Sequence, residues 1–229
     1  MVLSLPKNEL KSYLGKQLDS YFPDAIPFSG SDIDCALDLS LERLEKCFQG
    51  ISFPAYSDAQ GQTYFSHLHG DQYAHFLYFF ANSLWELSEN KVVCDKVIYL
   101  NRVLNNFFVS YKGKMPDIFF FAHPIGSIIG NADYSNYLVI SQGVTINTDH
   151  DEDGNPAPKL GKGLFLGAGA KIIGNKQIGD RVSVGVDTLI HQTEIADDKV
   201  VYTDNEGKVC IVDRKKECAA QLYFRDSLI

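Results

Sequence analysis

Apolar residues in the first half of the chain recur with the period of an amphipathic helix. Ser31 and Asp32 are candidates for a helix cap and Gly50 follows the last turn, so the spacing predicts a helix near residues 32–49. The apolar positions of this helix and of two later helices are Leu37, Leu41, Leu44 and Phe48; Tyr73, Phe76, Leu77, Phe80, Leu84 and Leu87; and Val97, Leu100, Leu104, Phe107, Phe108 and Tyr111. Tyr78 and Phe79 lie off the stripe of the middle helix, which gives it a second apolar face and a candidate contact with another subunit. We therefore predict a helical domain over residues 1–113.

After about residue 114 the apolar period changes to six residues. The positions that keep this interval are Leu160, Leu166, Ile172, Ile178, Val184 and Ile190, preceded by Ile128, Tyr134, Ile140 and Ile146. A six-residue period is typical of a parallel β-helix, in which three short strands close one coil of about 18 residues. A β-sandwich would alternate at period two, with turns every 8–12 residues. We predict a β-helix over residues 114–203.

Two segments depart from the six-residue period. Residues 147–159 are acidic and rich in turn formers, so we expect an exposed loop inserted into the β-helix. Residues 200–212 contain two apolar runs around Asp204–Gly207, which predicts a β-hairpin. We assign residues 204–229 to a C-terminal hairpin and tail.

The composition excludes several classes of partner. The chain carries 29 acidic and 21 basic side chains, with a formal net charge of −8, so nucleic acid and anionic membrane surfaces are poor candidates. Its most apolar stretch, residues 75–85, is too short to span a bilayer. The five cysteines include no CxxC pair and the N-terminal sequence does not resemble a signal peptide, so we expect a reduced, cytoplasmic protein.

Two segments of the six-residue region carry a family resemblance. The first is residues 158–175 (PKLGKGLFLGAGAKIIGN). The second begins at residues 123–130 (HPIGSIIG) and continues at residues 141–146 (SQGVTI). These segments resemble serine O-acetyltransferase and its relatives, and the likeness covers roughly residues 70–200. The resemblance implies an α+β fold, with an N-terminal helical domain followed by a left-handed parallel β-helix of hexapeptide repeats.

The resemblance also implies a catalytic base. In that family a histidine that opens a His-x-x-Gly-x-x-x-Gly stretch is the general base, and His123 occupies this position, with Gly126 and Gly130 in register. Imidazole titrates near neutral pH, so it can take the proton of an acceptor hydroxyl that attacks the thioester of acetyl-CoA. His123 is therefore the predicted catalytic residue.

Acetyl-CoA, the implied co-substrate, lies along the β-helix in this family. Gly167, Ala168 and Gly185 match the cofactor-binding positions. Ser141 stands 18 residues after His123, which places it one coil away. Gln142 also matches a family position, and we expect Ser141 and Gln142 to line the same groove.

The departures from the family pattern concern the acceptor. Serine O-acetyltransferases have an aspartate before the catalytic histidine and an Arg-His pair before the Pro-Lys, where this chain has Ala122 and Pro156–Ala157. Losing these partners weakens the recognition of a zwitterionic amino acid. We therefore expect a different hydroxyl acceptor, a sugar of a polysaccharide or lipopolysaccharide pathway.

Further site candidates follow from the same comparison. The carboxylate that orients the catalytic imidazole in the family has no counterpart here, which leaves Asp117, Asp133 or a backbone carbonyl for that role. His150 and the acidic residues around it are candidates to contact sugar hydroxyls.

Several alternatives remain open at this point. They are serine O-acetylation, N-acetylation of an amino sugar, and a scaffold that has lost its activity. His67, His69 and His75 are a candidate zinc cluster but lack a fourth ligand, so we predict no metal. The resemblance implies a homotrimer with acetyl-CoA between adjacent subunits, and a small-molecule or saccharide acceptor.

Overall fold

A computed structural model describes residues 1–228 of the chain, which divide into two compact units. The first unit comprises Met1–Gln49 and Phe53–Lys112, and the second comprises Gly50–Ser52 and the chain from Gly113 onward. None of the helices in residues 1–228 combines the length and the apolar run needed to cross a lipid bilayer.

The first unit is mainly helical. Its elements in the described chain are β1 (Val2–Leu3), α1 (Lys7–Tyr21), α2 (Ser31–Gln49), β2 (Tyr64–Phe65), α3 (Gly70–Ser88), α4 (Lys91–Asn105) and β3 (Phe108–Val109), with a 3-10 turn at Pro54–Tyr56. The helix predicted near residues 32–49 is confirmed by α2. Strands β1 and β2 pair in parallel, and α3 packs against both α2 and α4.

Helix α3 is the buried centre of this unit. All of its residues from Gln72 to Leu84 are buried, which fits a helix that is apolar on more than one side. Tyr78 and Phe79 are 0% and 1% exposed, so the predicted contact with another subunit through them is wrong. The Arg43 guanidinium lies 4.8 Å from the centre of the Phe79 ring, a cation–π contact.

Helix α4 ends earlier than its apolar period predicts. Asn106 adopts a left-handed conformation with φ 50°, and its N–H donates to the carbonyl of Arg102 at 3.0 Å. Asparagine tolerates this conformation better than most residues, so it closes the helix at Asn105. The prediction that the same helix continues to Tyr111 is therefore wrong, and Phe108 lies in β3 instead.

The second unit is built from short strands that stack as successive coils. In chain order they are β4 (Phe119–Ala122), β5 (Ile128–Ile129), β6 (Asp133–Tyr134), β7 (Leu138–Ser141), β8 (Thr145–Ile146), β9 (Asp149–His150), β10 (Pro156–Ala157), β11 (Lys159–Leu160), β12 (Phe165–Leu166), β13 (Lys171–Ile173), β14 (Ser183–Val184), β15 (Leu189–His191), β16 (Lys199–Thr203) and β17 (Val209–Asp213).

The coils present three faces. Parallel strands β4, β7, β12, β14 and β16 form the first face, with β17 antiparallel at its end. Strands β5, β8, β13 and β15 form the second face, again in parallel. The third face contains the parallel pair β6 and β11 and continues through single bridges at Ile178 and Ile195.

The six-residue interval marks the inward positions of these faces. The aliphatic residues that keep it, each at most 3% exposed, are Ile140, Ile146, Leu160, Leu166, Ile172, Ile178, Val184 and Ile190. One strand and one corner together advance the chain by six residues to the next face, so each coil adds one buried aliphatic side chain to each face.

Ile128 breaks this rule, and its assignment as an inward residue is wrong. Ile129 pairs with Ile146 and is 0% exposed, whereas Ile128 pairs with Thr145 and is 47% exposed. The inward Ile129 and Tyr134 are therefore five positions apart, one fewer than the usual six.

The insertion at residues 147–159 is a short hairpin rather than an irregular loop. Strands β9 and β10 pair antiparallel, and Oδ1 of Asp151 accepts the N–H groups of Asp153 at 3.0 Å and Asn155 at 2.8 Å. The hydrogen bond from the Asn155 backbone is the main reason that the pKa of Asp151 is lowered. The end of the hairpin is not exposed, since Ala157 is 1% exposed.

This hairpin leaves the stacking of the coils intact. Ile140 pairs with Leu166 although they are 26 residues apart, eight more than the 18 that separate Leu166 from its other partner, Val184. The extra residues leave the solenoid at one corner and return to the same register.

The solenoid ends in a hairpin of β16 and β17 that is tied back to the coils. Oδ1 of Asp198 accepts hydrogen bonds from Nε of Arg181 at 2.7 Å and from Nε of Arg214 at 2.6 Å. These bonds, which we call the two-arginine clamp, hold the pKa of Asp198 well below its ordinary value. They connect the last coils to the segment that leaves the hairpin.

The C-terminal segment lies on the first face of the solenoid. The Tyr223 ring contacts the rings of Phe120 and Phe165, with centroids 5.2 and 5.8 Å away. The Tyr137 hydroxyl donates to Asp226 at 2.6 Å, which raises the pKa of Tyr137 to about 12. This segment covers the aromatic side chains on the outside of the first face.

Candidate active site

One corner of the solenoid brings together most of the predicted site residues. This corner, named the His123 edge here, is where the first face turns into the second, and its rungs are His123–Gly126, Gln142–Gly143, Ala168–Gly169 and Val186–Asp187. The rungs are joined by hydrogen bonds from the N–H groups of Gly143, Gly169 and Asp187 to the carbonyls of Ile125, Gln142 and Ala168. Since neighbouring strands lie about 4.8 Å apart, the four rungs extend over roughly 15 Å.

His123 is presented to solvent by a tight turn. It directly follows β4, it is exposed, and its φ of 53° lies in the left-handed region that few side-chain-bearing residues adopt. Its carbonyl accepts the N–H of Ile125 at 2.7 Å, and the carbonyl of Pro124 accepts the N–H of Ser127 at 3.0 Å. These bonds fix the backbone from which the imidazole projects.

Ser127 anchors this turn and was missed by the sequence reasoning. It is 0% exposed, and its Oγ donates to the carbonyl of Ser141 at 2.9 Å and accepts the N–H of Val144 at 3.0 Å. One feature of the sequence could have indicated that Ser127 is buried. It stands two positions before the buried Ile129, and alternate residues of an extended chain point to the same side. One buried side chain thus links the His123 turn to the next coil.

The register of the first two coils changes the assignment of Ser141. Ser141 pairs with Ala122, which makes this coil 19 residues long, so the expectation that Ser141 lies one coil from His123 is wrong by one residue. Gln142, which is exposed, takes the place beside His123 on the next rung. Ser141 is only 7% exposed. Gln142 is therefore the side chain next to His123 along the edge.

A strip of bare backbone runs along the His123 edge. Gly126, Gly143 and Gly169 occupy the same place on successive rungs, with φ of 79°, 68° and 70°. A Cβ on Gly143 would lie 3.5 Å from the Cα of Gly169, so the rungs pack main chain on main chain. Glycine allows both this backbone conformation and the close approach of a ligand to main-chain groups.

The three predicted cofactor-binding residues also lie at this edge, with different surroundings. Gly167 is buried, and a Cβ there would lie 2.9 Å from the carbonyl oxygen of Val184 in the next coil. Packing between coils therefore accounts for this glycine. Ala168 and Gly185 are half-buried, and they are the two positions of the set that a ligand can reach.

Charged and apolar side chains flank the strip. Nζ of Lys171 donates to the carbonyl of Gly169 at 2.8 Å, and the carboxylate of Asp187 folds over the same glycine. The exposed aliphatic side chains beside the strip are Ile125, Ile128, Val186 and Leu189, which are 45–64% exposed. The edge thus offers one ammonium group, one carboxylate and an unusual amount of exposed apolar surface.

Three predicted residues are not at the His123 edge of their own chain. Asp117 precedes β4 whereas His123 follows it, so the two lie at opposite ends of one strand. Asp133 begins the third face, where it pairs with Lys159. His150 is exposed on the inserted hairpin, which leaves the solenoid after the second face.

The histidines of the first unit contact other groups. Nδ1 of His67 hydrogen-bonds the Ser4 hydroxyl at 2.8 Å, and Nδ1 of His75 donates to the carbonyl of Asp71 at 2.7 Å. Within residues 1–228 no group of three or more His, Cys, Asp or Glu side chains is arranged to hold a metal ion. The geometry therefore gives no support to the zinc alternative.

Comparison with known proteins identifies similar sequences over the solenoid. No protein-family model matches the chain. The chain is 32% identical to the serine acetyltransferase of Synechococcus elongatus over 119 residues, which are 51% of this chain and 49% of that protein. It thus matches about half the length of this relative.

Solved structures show a similar fold over most of the chain. A serine acetyltransferase from Brucella abortus strain S19 is 17% identical with a TM-score of 0.65, over 91% of this chain and 85% of that one. A serine acetyltransferase in complex with CoA is 19% identical with a TM-score of 0.54, over 86% and 73% of the two chains. The resemblance to serine acetyltransferases that the sequence indicated is confirmed.

Proposed function

We propose that this chain, which is similar to the serine acetyltransferases, is an acetyl-CoA-dependent O-acetyltransferase with His123 as its general base. The observation that carries the proposal is the pairing of an exposed, backbone-anchored imidazole with a strip of bare backbone on the same solenoid edge. The similar proteins include a serine acetyltransferase solved in complex with CoA, which supports acetyl-CoA as the donor. The left-handed sense of the β-helix, implied by the resemblance, is part of this proposal.

The proposed reaction is acyl transfer to a hydroxyl group. His123 takes the proton of the acceptor hydroxyl while the hydroxyl oxygen attacks the carbonyl carbon of the thioester, and a C–O bond forms. The C–S bond then breaks, the departing thiolate receives the proton from the imidazolium, and the products are the acetyl ester and free CoA. The bare strip would accept the pantetheine arm, with Ala168 and Gly185 beside it.

The residues around His123, where the acceptor would bind, favour a sugar hydroxyl over free serine. Ala122 offers no charge beside His123, and Ala157 is buried in the hairpin, so neither can pair with the charged ends of an amino acid. Gln142 provides an uncharged amide next to His123, a group that suits a hydroxyl-bearing substrate. Serine is the second candidate, because the similar proteins named above are serine acetyltransferases.

The proposal includes a homotrimer that completes the site. Four aliphatic side chains flanking the strip are exposed in the single chain, and contact with a second copy would bury them beside the cofactor. Asp133 and His150 lie on other corners of their own chain, and under this proposal they serve the acceptor site of an adjacent copy. Light scattering that finds an active monomer would contradict this assembly.

Release of free thiol from acetyl-CoA tests the activity. We expect His123→Ala to lower kcat by about 10²–10⁴-fold and to change CoA affinity by less than about threefold, because the base is lost and the strip remains. His191→Ala is the matched control, since His191 is exposed on β15 away from the turn. A kcat close to that of the unmodified protein would remove His123 from the mechanism.

Two further measurements separate the alternatives. A shift of the unfolding temperature by CoA is expected of the enzyme, and no shift with any acyl-CoA would favour an inactive scaffold. An acceptor screen should give a kcat/KM for L-serine far below that for the best sugar. A value for serine above about 10⁴ M⁻¹s⁻¹ would establish serine as the acceptor.

A further inference from the structure

The first unit contains a cleft that the proposed reaction does not use. The cleft has a volume of about 360 Å³ and lies between α4 and the segment 108–111. Its apolar walls are Ile98, Tyr99, Phe108 and Tyr111. The volume is near the lower end of the range for small-molecule sites, which matches a ligand with one ring and a short chain.

Arg102 gives this cleft a positive charge without a counter-ion. Its side chain is exposed at the cleft, and its guanidinium has no hydrogen bond or ion pair with any residue from 1 to 228. A guanidinium has five N–H donors in a planar fork, which suits bidentate binding of a carboxylate. The donors of Arg102 therefore remain available to a ligand in the cleft.

The one carboxylate on the cleft wall is already engaged. Oδ1 of Asp95 accepts the Tyr111 hydroxyl at 2.9 Å, and Oδ2 accepts Nζ of Lys91 at 2.5 Å. Burial and the hydrogen bond to Asp95 raise the pKa of Tyr111 to about 12, so its phenol stays neutral and keeps donating. Asp95 lies two helical turns from Arg102, about 10.5 Å along the axis, and forms no ion pair with it.

We propose that this cleft binds a small organic carboxylate, with its carboxylate on Arg102 and an aromatic or aliphatic body against Tyr99, Phe108 and Tyr111. A single negative charge is favoured over a phosphate dianion, because Asp95 places another carboxylate on the same wall and the chain carries a net charge of −8. The aromatic walls supply apolar contact area, and the guanidinium supplies orientation.

Trp85 provides a direct optical readout. It is the only tryptophan of the chain, and its ring lies 5.3 Å from the ring of Tyr111, a wall of the cleft. Titration of the full chain with 3-phenylpropionate should change the Trp85 fluorescence. The uncharged amide of the same acid is the matched ligand, and we expect it to bind about tenfold to a hundredfold more weakly.

Arg102→Gln should abolish this preference, so that the acid and the amide bind with similar affinity. Lys176→Gln removes an exposed charge from the second unit and should leave the preference unchanged. The Arg102 variant should keep its unfolding temperature, since its guanidinium has no intramolecular partner to lose.

Two results would overturn the proposal. One is equal affinity for the acid and the amide in the unmodified chain, which does not depend on any variant. The other combines two observations: the unmodified chain binds no acid, and light scattering gives a lower molar mass for the Arg102→Gln variant than for the unmodified chain. Together they would mean that a second copy of the chain fills the cleft. Neither result measures thiol release from acetyl-CoA, so this proposal and the proposed acetyl transfer can fail separately.

Discussion

Ile128 and Ile129 allow the register of the solenoid to be tested with two neighbouring residues of the same type. Truncating the fully buried Ile129 to alanine removes a side chain from the interior, and such changes typically cost about 2–5 kcal/mol in free energy of unfolding. Ile128 is 47% exposed, so Ile128→Ala should cost about 1 kcal/mol or less. Both variants lose the same β-branched side chain from one strand, which cancels the effect of strand propensity.

Urea unfolding and amide hydrogen exchange measure this difference. The N–H of Gly130 donates to the carbonyl of Ile146 at 2.8 Å, so its exchange rate reports locally on the pairing of β5 and β8. We expect faster exchange at Gly130 in Ile129→Ala and little change in Ile128→Ala. A larger loss of stability for Ile128→Ala, with a molar mass unchanged by light scattering, would show that the six-residue phase extends to Ile128 and that the register described above is wrong.

Two further variants test the anchor and the clamp. Ser127→Ala should lower the free energy of unfolding by about 1–3 kcal/mol and speed exchange at the Val144 amide, because buried backbone groups lose their partner. The exposed Ser135→Ala is its control, and equal stabilities of the two variants would contradict the anchoring role. Asp198→Asn should make the free energy of unfolding less dependent on pH in the acid range. The carboxylate has a lowered pKa in the folded chain, so it stabilises the fold above the ordinary value of 3.8 and loses this effect as the pH falls below it. Stability curves of the variant and the unmodified chain that stay parallel between about pH 5 and pH 2 would show that the two-arginine clamp contributes nothing measurable.

The sequence predicts the solenoid well because its signal is repeated. One strand and one corner consume six residues in most steps, so buried aliphatic residues such as Leu166 and Ile172 appear at a fixed interval. The period gives the wrong inward residue at Ile128, because one step takes five residues and two adjacent isoleucines fit either phase. The displacement of Ser141 from the His123 position to that of Ala122 has a different cause. The inward residues Phe121 and Ile129 lie eight positions apart across the His123 turn, so the first coil is 19 residues long despite the five-residue step.

Other features depend on single residues that carry no periodic signal. The end of α4 is decided by the left-handed conformation of Asn106, while the apolar period continues past it. The anchoring role of Ser127 arises from contacts with the next coil, which no local pattern encodes. The prediction of His123 rests on its resemblance to a family position and not on the apolar period. The register of the coils, which the sequence does not show, places His123 on one edge with Gln142 and Ala168.

The eight-residue insertion shows where this architecture accepts additional sequence. The hairpin of β9 and β10 leaves and re-enters the solenoid without altering the pairing of Ile140 with Leu166 or of Ile146 with Ile172. Each coil pairs only with its neighbours, so a length change at a corner is not passed on to the rest of the stack. The exposed turn at residues 152–154 is therefore a suitable point for grafting a foreign peptide, such as an epitope or an affinity tag, into the interior of the chain.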